Sequence, residues 1–244
     1  MQPRIDEIAP DVFRIATFLP AFQLGFNVFV VRDEEPLLYH TGLPVMFPAV
    51  RDAVAQVVDP ASLRWIGFSH YEPDECGALD AFLALAPHAQ PVCGRVGAAV
   101  CIDQVASRRA RALDDGEVLV TGRHRFRYLA TPHVPHGWDA GLLFDESGRT
   151  LFASDLFQQA GPVDGPFATH FMERIRDSLV ATESGPFRGY IPYGPWTVAT
   201  LARLADLEPR TIATMHGGAY EGDGRAAVHD LARVLEDVLA PRAA

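Results

Sequence analysis

Ser69-His70-Tyr71-Glu72-Pro73-Asp74-Glu75-Cys76-Gly77 packs one imidazole and three carboxylates into the six positions from His70 to Glu75. The apolar run before it, Trp65-Ile66-Gly67-Phe68, reads as a strand, and the run after it, residues 77–83, reads as a helix. A loop between two such elements is a common seat of chemistry, because the rigid elements hold the side chains that the loop carries. His70, Glu72 and Asp74 alternate, so an extended loop sends all three to one side. No basic residue stands among them, and carboxylates facing one another repel unless a cation lies between them. The structural alternative is a helix start, with Asp74 as cap and Glu75 in the first turn. That alternative accounts for Asp74 and Glu75 but not for His70 or Glu72, which tips the stretch toward a metal.

The rest of the chain supplies the frame. Residues 12–16 and 26–31 read as strands, and 37–40 returns as a hairpin partner after the turn at 32–36. His40 reads there as a strand-end surface histidine. Val50, Val54 and Val57 mark a helical stripe in 47–57. Further strands are expected at 90–93, 117–120 and 126–130, with a helix over 97–109. Residues 141–145 and 150–153 form a hairpin that ends in Ser154-Asp155. Residues 156–168 are rich in Gly and Pro and read as a loop that could move over a pocket. Helices follow at 171–181 and 195–207, a strand at 211–215, and a last helix at 225–239. That helix carries Val228, Leu231, Val234, Leu235, Val238 and Leu239 on one face. Strands, a helix, more strands and then helices predict two sheets between helices rather than a simple parallel sheet. No repeat or low-complexity linker interrupts the chain, so one domain over residues 1–244 is expected.

Composition narrows the function. The 244 residues are 48% apolar and 21% charged, the profile of an ordinary globular protein. A net charge of −10 leaves no basic surplus to release counterions, which argues against nucleic acid as the partner. The short basic run at Arg108-Arg109-Ala110-Arg111 reads as a solvated helix face. Cys76, Cys93 and Cys101 are odd in number and lack CxxC spacing, which argues against a disulfide framework and a cysteine zinc site. Residues 1–11 have no apolar core of a signal peptide, and no run approaches the length of a membrane span. A cytoplasmic, reducing setting is the expectation.

Four times an apolar strand ends at a residue fit to bind metal: His70-x-Glu72-x-Asp74, His136, Asp155 and His216. Each has an ordinary explanation alone. His136 suits a loop, Asp155 a turn, and His216 a turn before glycine. Their recurrence at strand ends is more specific, because strands that end on one edge bring their following loops together. Three imidazoles and three carboxylates suffice for two metal ions if one carboxylate bridges.

These segments resemble the metallo-β-lactamase superfamily, and within it the diiron branch of flavodiiron proteins and related oxygen-binding diiron proteins. The superfamily motif is HxHxDH, followed by a His, an Asp and a His; the diiron branch has HxExDH. His70-Tyr71-Glu72-Pro73-Asp74 matches the branch form. His136-Gly137-Trp138-Asp139 resembles its His-Trp-Pro-Asp segment, Ser154-Asp155-Leu156-Phe157 its strand-end aspartate, and Met215-His216-Gly217 its final histidine. The resemblance runs from about Ile8 to Leu239 and implies an αββα sandwich. It also implies two iron ions in an Fe–O–Fe type site. One iron falls to His70, Glu72 and His136, the second to Asp74 and His216, with Asp155 bridging. Manganese and zinc are the alternatives, and glutamate in place of the zinc enzymes' histidine favours the harder ions. A homodimer is a further implication.

Two departures stand out. Glu75 occupies the place of the family's next histidine. Direct ligation, a hydrogen bond to a ligand and helix capping all remain open for it, and His133 is a substitute nitrogen donor. The second departure is that no flavodoxin-like FMN domain follows Leu239. The expectation is therefore a protein that binds or reduces O2 or NO with a separate reductase, or a sensor read by a signalling partner through the loop at 156–168. Tyr71 and Trp138 flank the candidate ligands, and ordinary packing is favoured for them over lining a gas pocket. Two rivals stay in play. One is a metal-dependent hydrolase of an ester, lactone, thioester or phosphodiester, with Asp74 positioning the water. The other is a non-catalytic module with a degenerate second metal site.

Overall fold

Strands buried on both faces build the centre of the molecule. In β3 (Leu24–Val31), Phe26, Val28 and Val30 join one apolar cluster, while Phe29 and Val31 join another. Such a strand needs cover on both sides, and here a helix layer gives one and a second sheet the other. The computed structural model describes residues 2–240; residue 1 and residues 241–244 of the expected domain lie outside the described residues.

The first sheet has seven strands in sequence order: β1 (Arg4–Ala9), β2 (Val12–Leu19), β3, β4 (Leu37–Tyr39), β5 (Trp65–Gly67), β6 (Gln90–Gly94) and β7 (Arg111–Leu113). Its pairs are antiparallel up to β4 and parallel from β4 to β7. The second sheet has six strands: β8 (Val118–Val120), β9 (Arg125–Ala130), β10 (Gly141–Asp145), β11 (Thr150–Ser154), β12 (Thr211–Thr214) and β13 (Tyr220–Glu221), in the order β13-β12-β11-β10-β9-β8. Outside the first sheet lie α1 (Phe47–Val54), α2 (Pro73–Cys76) and α3 (Leu79–Leu85). A further helical run comprises α4 (Arg95–Gly97), a π turn (Ala98–Ile102) and α5 (Asp103–Val105). Outside the second lie α6 (Phe171–Ser184), α7 (Pro195–Asp206) and α8 (Gly224–Leu239). The expected αββα sandwich is the observed architecture.

Phe152 lies where the sheets meet. Its ring packs edge-on against Phe29, Tyr39 and Phe126, with centroids 5.5, 5.3 and 6.0 Å away. In β11 it alternates with Leu151 and Ala153, which face the helices instead.

The first strand was not anticipated, and two expectations need correction. Arg4–Ala9 forms an edge strand, and its charges blur the strand pattern while protecting the edge from further pairing. The basic run is not a helix face. The helix ends at Val105, Arg108 donates to the carbonyls of Leu83, Ala86 and Ala89, and Arg111 opens β7. The loop at 156–168 is anchored, since Leu156, Phe157 and Gln159 are buried and the Gln159 N–H donates to the His216 carbonyl. No helix among the described residues is long and apolar enough to cross a membrane.

Truncating the ring between the sheets should leave a cavity that this close packing cannot refill. Phe152→Ala should cost about 3–5 kcal/mol, read as a lowered midpoint in urea unfolding.

Candidate metal centre

Strand direction gathers the site. β9 is antiparallel to β10, β10 to β11, and β11 is parallel to β12, so β9, β11 and β12 all point the same way. The loops that follow them carry His136, Asp155 and His216 to one edge. The first sheet brings the loop after β5, with His70, to the same edge, where the Gly141 N–H donates to the Ser69 carbonyl over 3.1 Å. Asn27 of β3 ties the sheets together there. Its amide donates to the carbonyls of Thr214 and Gly217, both at 2.8 Å, and its backbone N–H to that of Met215 at 2.9 Å.

Asp155 sits at the middle of the cluster. Its Oδ2 lies 3.5 Å from His70 Nε2 and 3.3 Å from His136 Nε2, and its Oδ1 lies 3.0 Å from His216 Nε2. Glu72 comes within 3.6 Å of His70 Nε2 and 3.4 Å of His136 Nε2. Asp74 lies 3.4 Å from His216 Nε2. One donor atom each from His70, Glu72, His136 and Asp155 falls within 4.8 Å of all the others. His70 is 1% and Asp155 5% exposed, yet His70 Nε2 has no hydrogen-bond partner, and the carboxylate oxygens that face it stand 3.5 and 3.6 Å away. Buried polar atoms are normally paired, and a shared cation is what these lone pairs fit.

The outer atoms of the imidazoles fix which nitrogen faces the cluster. His216 Nδ1 lies 2.8 Å from the Gly25 carbonyl, so it carries the proton and Nε2 is the donor. The edge of the Phe26 ring packs against the same imidazole, with centroids 5.1 Å apart. His70 Nδ1 faces Ser69 Oγ at 3.2 Å and Glu75 Oε1 at 3.5 Å.

Without a metal the cluster is strongly polarised. Burial lowers the His70 pKa, but Glu75, Glu72 and Asp155 outweigh it and hold the imidazole up at about 10. His216 is held at about 10 as well, with Asp155 and Asp74 overcoming its burial. Burial raises the Asp155 carboxyl, yet His216, His70 and His136 bring it well below the usual range. Glu72 is lowered in the same way, by His136 and His70 against its burial.

The structure does not bring Glu75 into this group. Glu75 is fully buried on the Nδ1 side of His70, away from Glu72 and Asp155. It accepts from the N–H groups of Ser69 (2.6 Å) and His70 (3.3 Å) and from the Ser154 hydroxyl. His40, expected on the surface, is buried, with Nε2 3.4 Å from the same carboxylate. The strict alternation also stops early. Glu72 is extended (φ −136°), but Pro73 starts a helical turn, so Asp74 meets His216 rather than the His70 group. His133 stays exposed and packs near Trp196. Tyr71 and Trp138 are 45% and 49% exposed, about half covered by their neighbours.

Sequence reasoning missed Tyr190. Its hydroxyl lies 2.8 and 3.0 Å from the two Glu72 oxygens and 2.8 Å from His136 Nε2. Burial first, then Asp155 and Glu72, raise its pKa, so the phenol keeps its proton. It lies in a run of turns between α6 and α7, and no periodic or spacing signal marks it.

Two outcomes follow from this geometry. Glu75→Ala leaves Ser69 N–H, His70 N–H and the Ser154 hydroxyl without their acceptor. It should cost about 3–5 kcal/mol in unfolding experiments and weaken metal binding roughly 10–100-fold in chelator competition. The raised pKa values of His70 and His216 stabilise the metal-free fold fully below about 6.5. That contribution is lost as pH rises through about 10. The depressed carboxylates contribute above their ordinary range, and that stability is lost as pH falls through their lowered values. At pH 8 both imidazoles are therefore still protonated, and adding metal should release about two protons per chain in a weakly buffered pH-stat; release of none would contradict this charge pattern.

Comparison with known proteins places this arrangement in a family. Residues 25–217 match the family described as ODP family beta lactamase. A diflavin flavoprotein (A 1) of Thermosynechococcus vestitus is 26% identical over 200 residues, which are 79% of this chain and 33% of that protein. The rubredoxin-oxygen oxidoreductase of Megalodesulfovibrio gigas is 22% identical over 205 residues, 81% of this chain and 49% of that protein. The chain thus spans a third to a half of the length of these two relatives. The solved structure of rubredoxin oxygen:oxidoreductase from Desulfovibrio gigas superposes with a TM-score of 0.82 over 96% of this chain and 61% of that one. At 18% identity that likeness shows the fold alone. The family match spans most of the sequence, and the chain belongs to the ODP family of beta-lactamase-fold proteins.

Proposed function

We propose that this chain holds two iron ions and uses them to bind or reduce O2 or NO with electrons from a separate donor. The observation that carries the reading is the convergence of three imidazole Nε2 atoms on the single buried carboxylate of Asp155. In this reading His70, Glu72 and His136 would hold one ion and Asp74 and His216 the other, with the Asp155 carboxylate between the two sets. The donor set contains three carboxylates, which favours iron or manganese over zinc. Iron, when bound, supplies the redox chemistry toward small gases that zinc lacks.

The side chains divide the remaining work. Glu75 and Gly25 hold the rings of His70 and His216 so that Nε2 of each faces inward. Tyr190 keeps a proton at its hydroxyl beside Glu72 and His136, where reduction of a bound gas consumes protons. Relatives named as a flavoprotein and as a rubredoxin-oxygen oxidoreductase support oxygen chemistry and an external electron supply. A reductase turns such a centre over, whereas a signalling partner reads its oxidised state; both uses start from the same iron chemistry.

Protein purified from iron-replete cells should contain about two iron atoms per chain. After anaerobic reduction, O2 should restore a visible absorption band. Zinc as the dominant metal, a silent spectrum and ester hydrolysis together would sink the proposal and favour a hydrolase. Glu72→His should move the metal content toward zinc, because it trades a hard oxygen donor for imidazole.

A further inference from the structure

A second cavity lies behind the metal centre, on the side of the helices. Leu156, Ile175, Leu179, Ile191, Leu231 and Leu235 supply half of its lining residues, and Asp155, Gln158, Ser178 and Thr182 are its polar members. It is wedged between α6, α8 and the segment after β11. Two of its residues adjoin the site in sequence: Pro135 precedes His136, and Ile191 follows Tyr190. Leu156, Ile175, Leu179, Leu231 and Leu235 are each 5% exposed or less. Asp155 is the only ionisable side chain in the wall among the described residues. One of the polar groups nearby is already engaged, since the Thr182 hydroxyl donates to the Ser178 carbonyl within α6.

The cavity measures about 20 Å³. One water requires roughly 10–15 Å³ of such space together with two to four polar partners, whereas apolar cavities stay dry and take up apolar atoms such as xenon. The space therefore suits one small uncharged molecule. A charged solute would leave its hydration shell for leucine and isoleucine side chains, which costs far more than any contact here returns. The opening on the side of Tyr71 and Glu72 is much larger, and Leu79, Ile102, Val105 and Ala106 give it apolar walls as well. Tyr71, Glu72, Pro73, Cys76 and Asp80 line a pocket of about 240 Å³ there, roomy enough for water and polar solutes.

We propose that the cavity between α6, α8 and Asp155 is a holding site for a small uncharged diatomic gas on its way to the metal centre. O2 and NO share the chemistry that it selects, which is small size, no charge and little demand for hydrogen bonds. The inference rests on the function proposed above, and it adds a largely apolar site beside Asp155 in which the gas is held.

Xenon is the probe that needs no metal. Crystals of the metal-free chain under xenon pressure should show an atom beside Leu179 and Leu231. Leu179→Trp should remove it by filling the space, and Leu179→Ala should retain it. Filling a close-packed site can cost about 1–3 kcal/mol, so thermal melts should accompany both variants, with Leu179→Phe as the milder filler. In the iron-loaded, reduced protein the filled variant should react with O2 several-fold more slowly at unchanged iron content, while Leu179→Ala should not be slowed. No xenon at this position, or a filled variant that takes up O2 at the parent rate, would overturn the proposal. A chain that holds no iron would instead sink the proposed function, and the xenon map alone would then decide whether the cavity takes a gas.

Discussion

Asp155 is a buried carboxylate that three imidazoles approach at once. A buried charge is tolerated only when it is compensated, and here the compensation comes from segments far apart in the chain. The fold has to hold those segments against the repulsion of Glu72, Asp74 and Asp155 for one another. Neutral hydrogen bonds across the seam help to do so. Asn27 bonds the two sheets at the carbonyls of Thr214 and Gly217, and Gly141 bonds to Ser69 across the same seam. Bonds of this kind do not titrate, so they hold the edge whatever the protonation of the site.

The four acidic side chains have separated into two environments. Glu72, Asp74 and Asp155 turn their oxygens toward imidazole Nε2 atoms with few competing donors. Glu75 is covered by backbone N–H groups and by Ser154. A carboxylate so engaged is a poor metal donor and a good positioning group for the ring above it. Ser154 contributes twice, since it donates to Glu75 and its left-handed backbone (φ 49°) turns the chain immediately before Asp155. Strain of this sort persists where the surroundings over-determine it, as they do at the junction of β11 with the centre.

The approaches to the centre also differ. One face, near Tyr71 and Glu72, is a wide pocket with carboxylates in its lining. The back is narrow and walled by leucine and isoleucine from α6 and α8. The helices that cover the outer face of the second sheet therefore also wall the cavity next to Asp155.

Much of this was legible from local pattern. Alternation in 12–16, the continuous apolar run in 26–31, the helical stripe in 225–239 and the order of the elements point to a two-sheet sandwich, because the pattern reflects which faces of an element are buried. The residues that converge, namely His70, Glu72, Asp74, His136, Asp155 and His216, were legible because each follows an apolar strand. The strands at 4–9 and 111–113 escaped notice, since edge strands carry charge where central strands carry apolar side chains. Tyr190 could not be read at all: it reaches Glu72 across 118 positions from a segment with no pattern of its own. Glu75 lies one residue from Asp74 and still points elsewhere, because a helical turn at Pro73 replaces the extended loop that its spacing suggests. Sequence alone thus determined which residue types stand at which strand ends, a short-range property. Tertiary structure alone decided which of their atoms face one another, because a side chain's direction depends on the turn it sits in and on partners brought from remote parts of the chain.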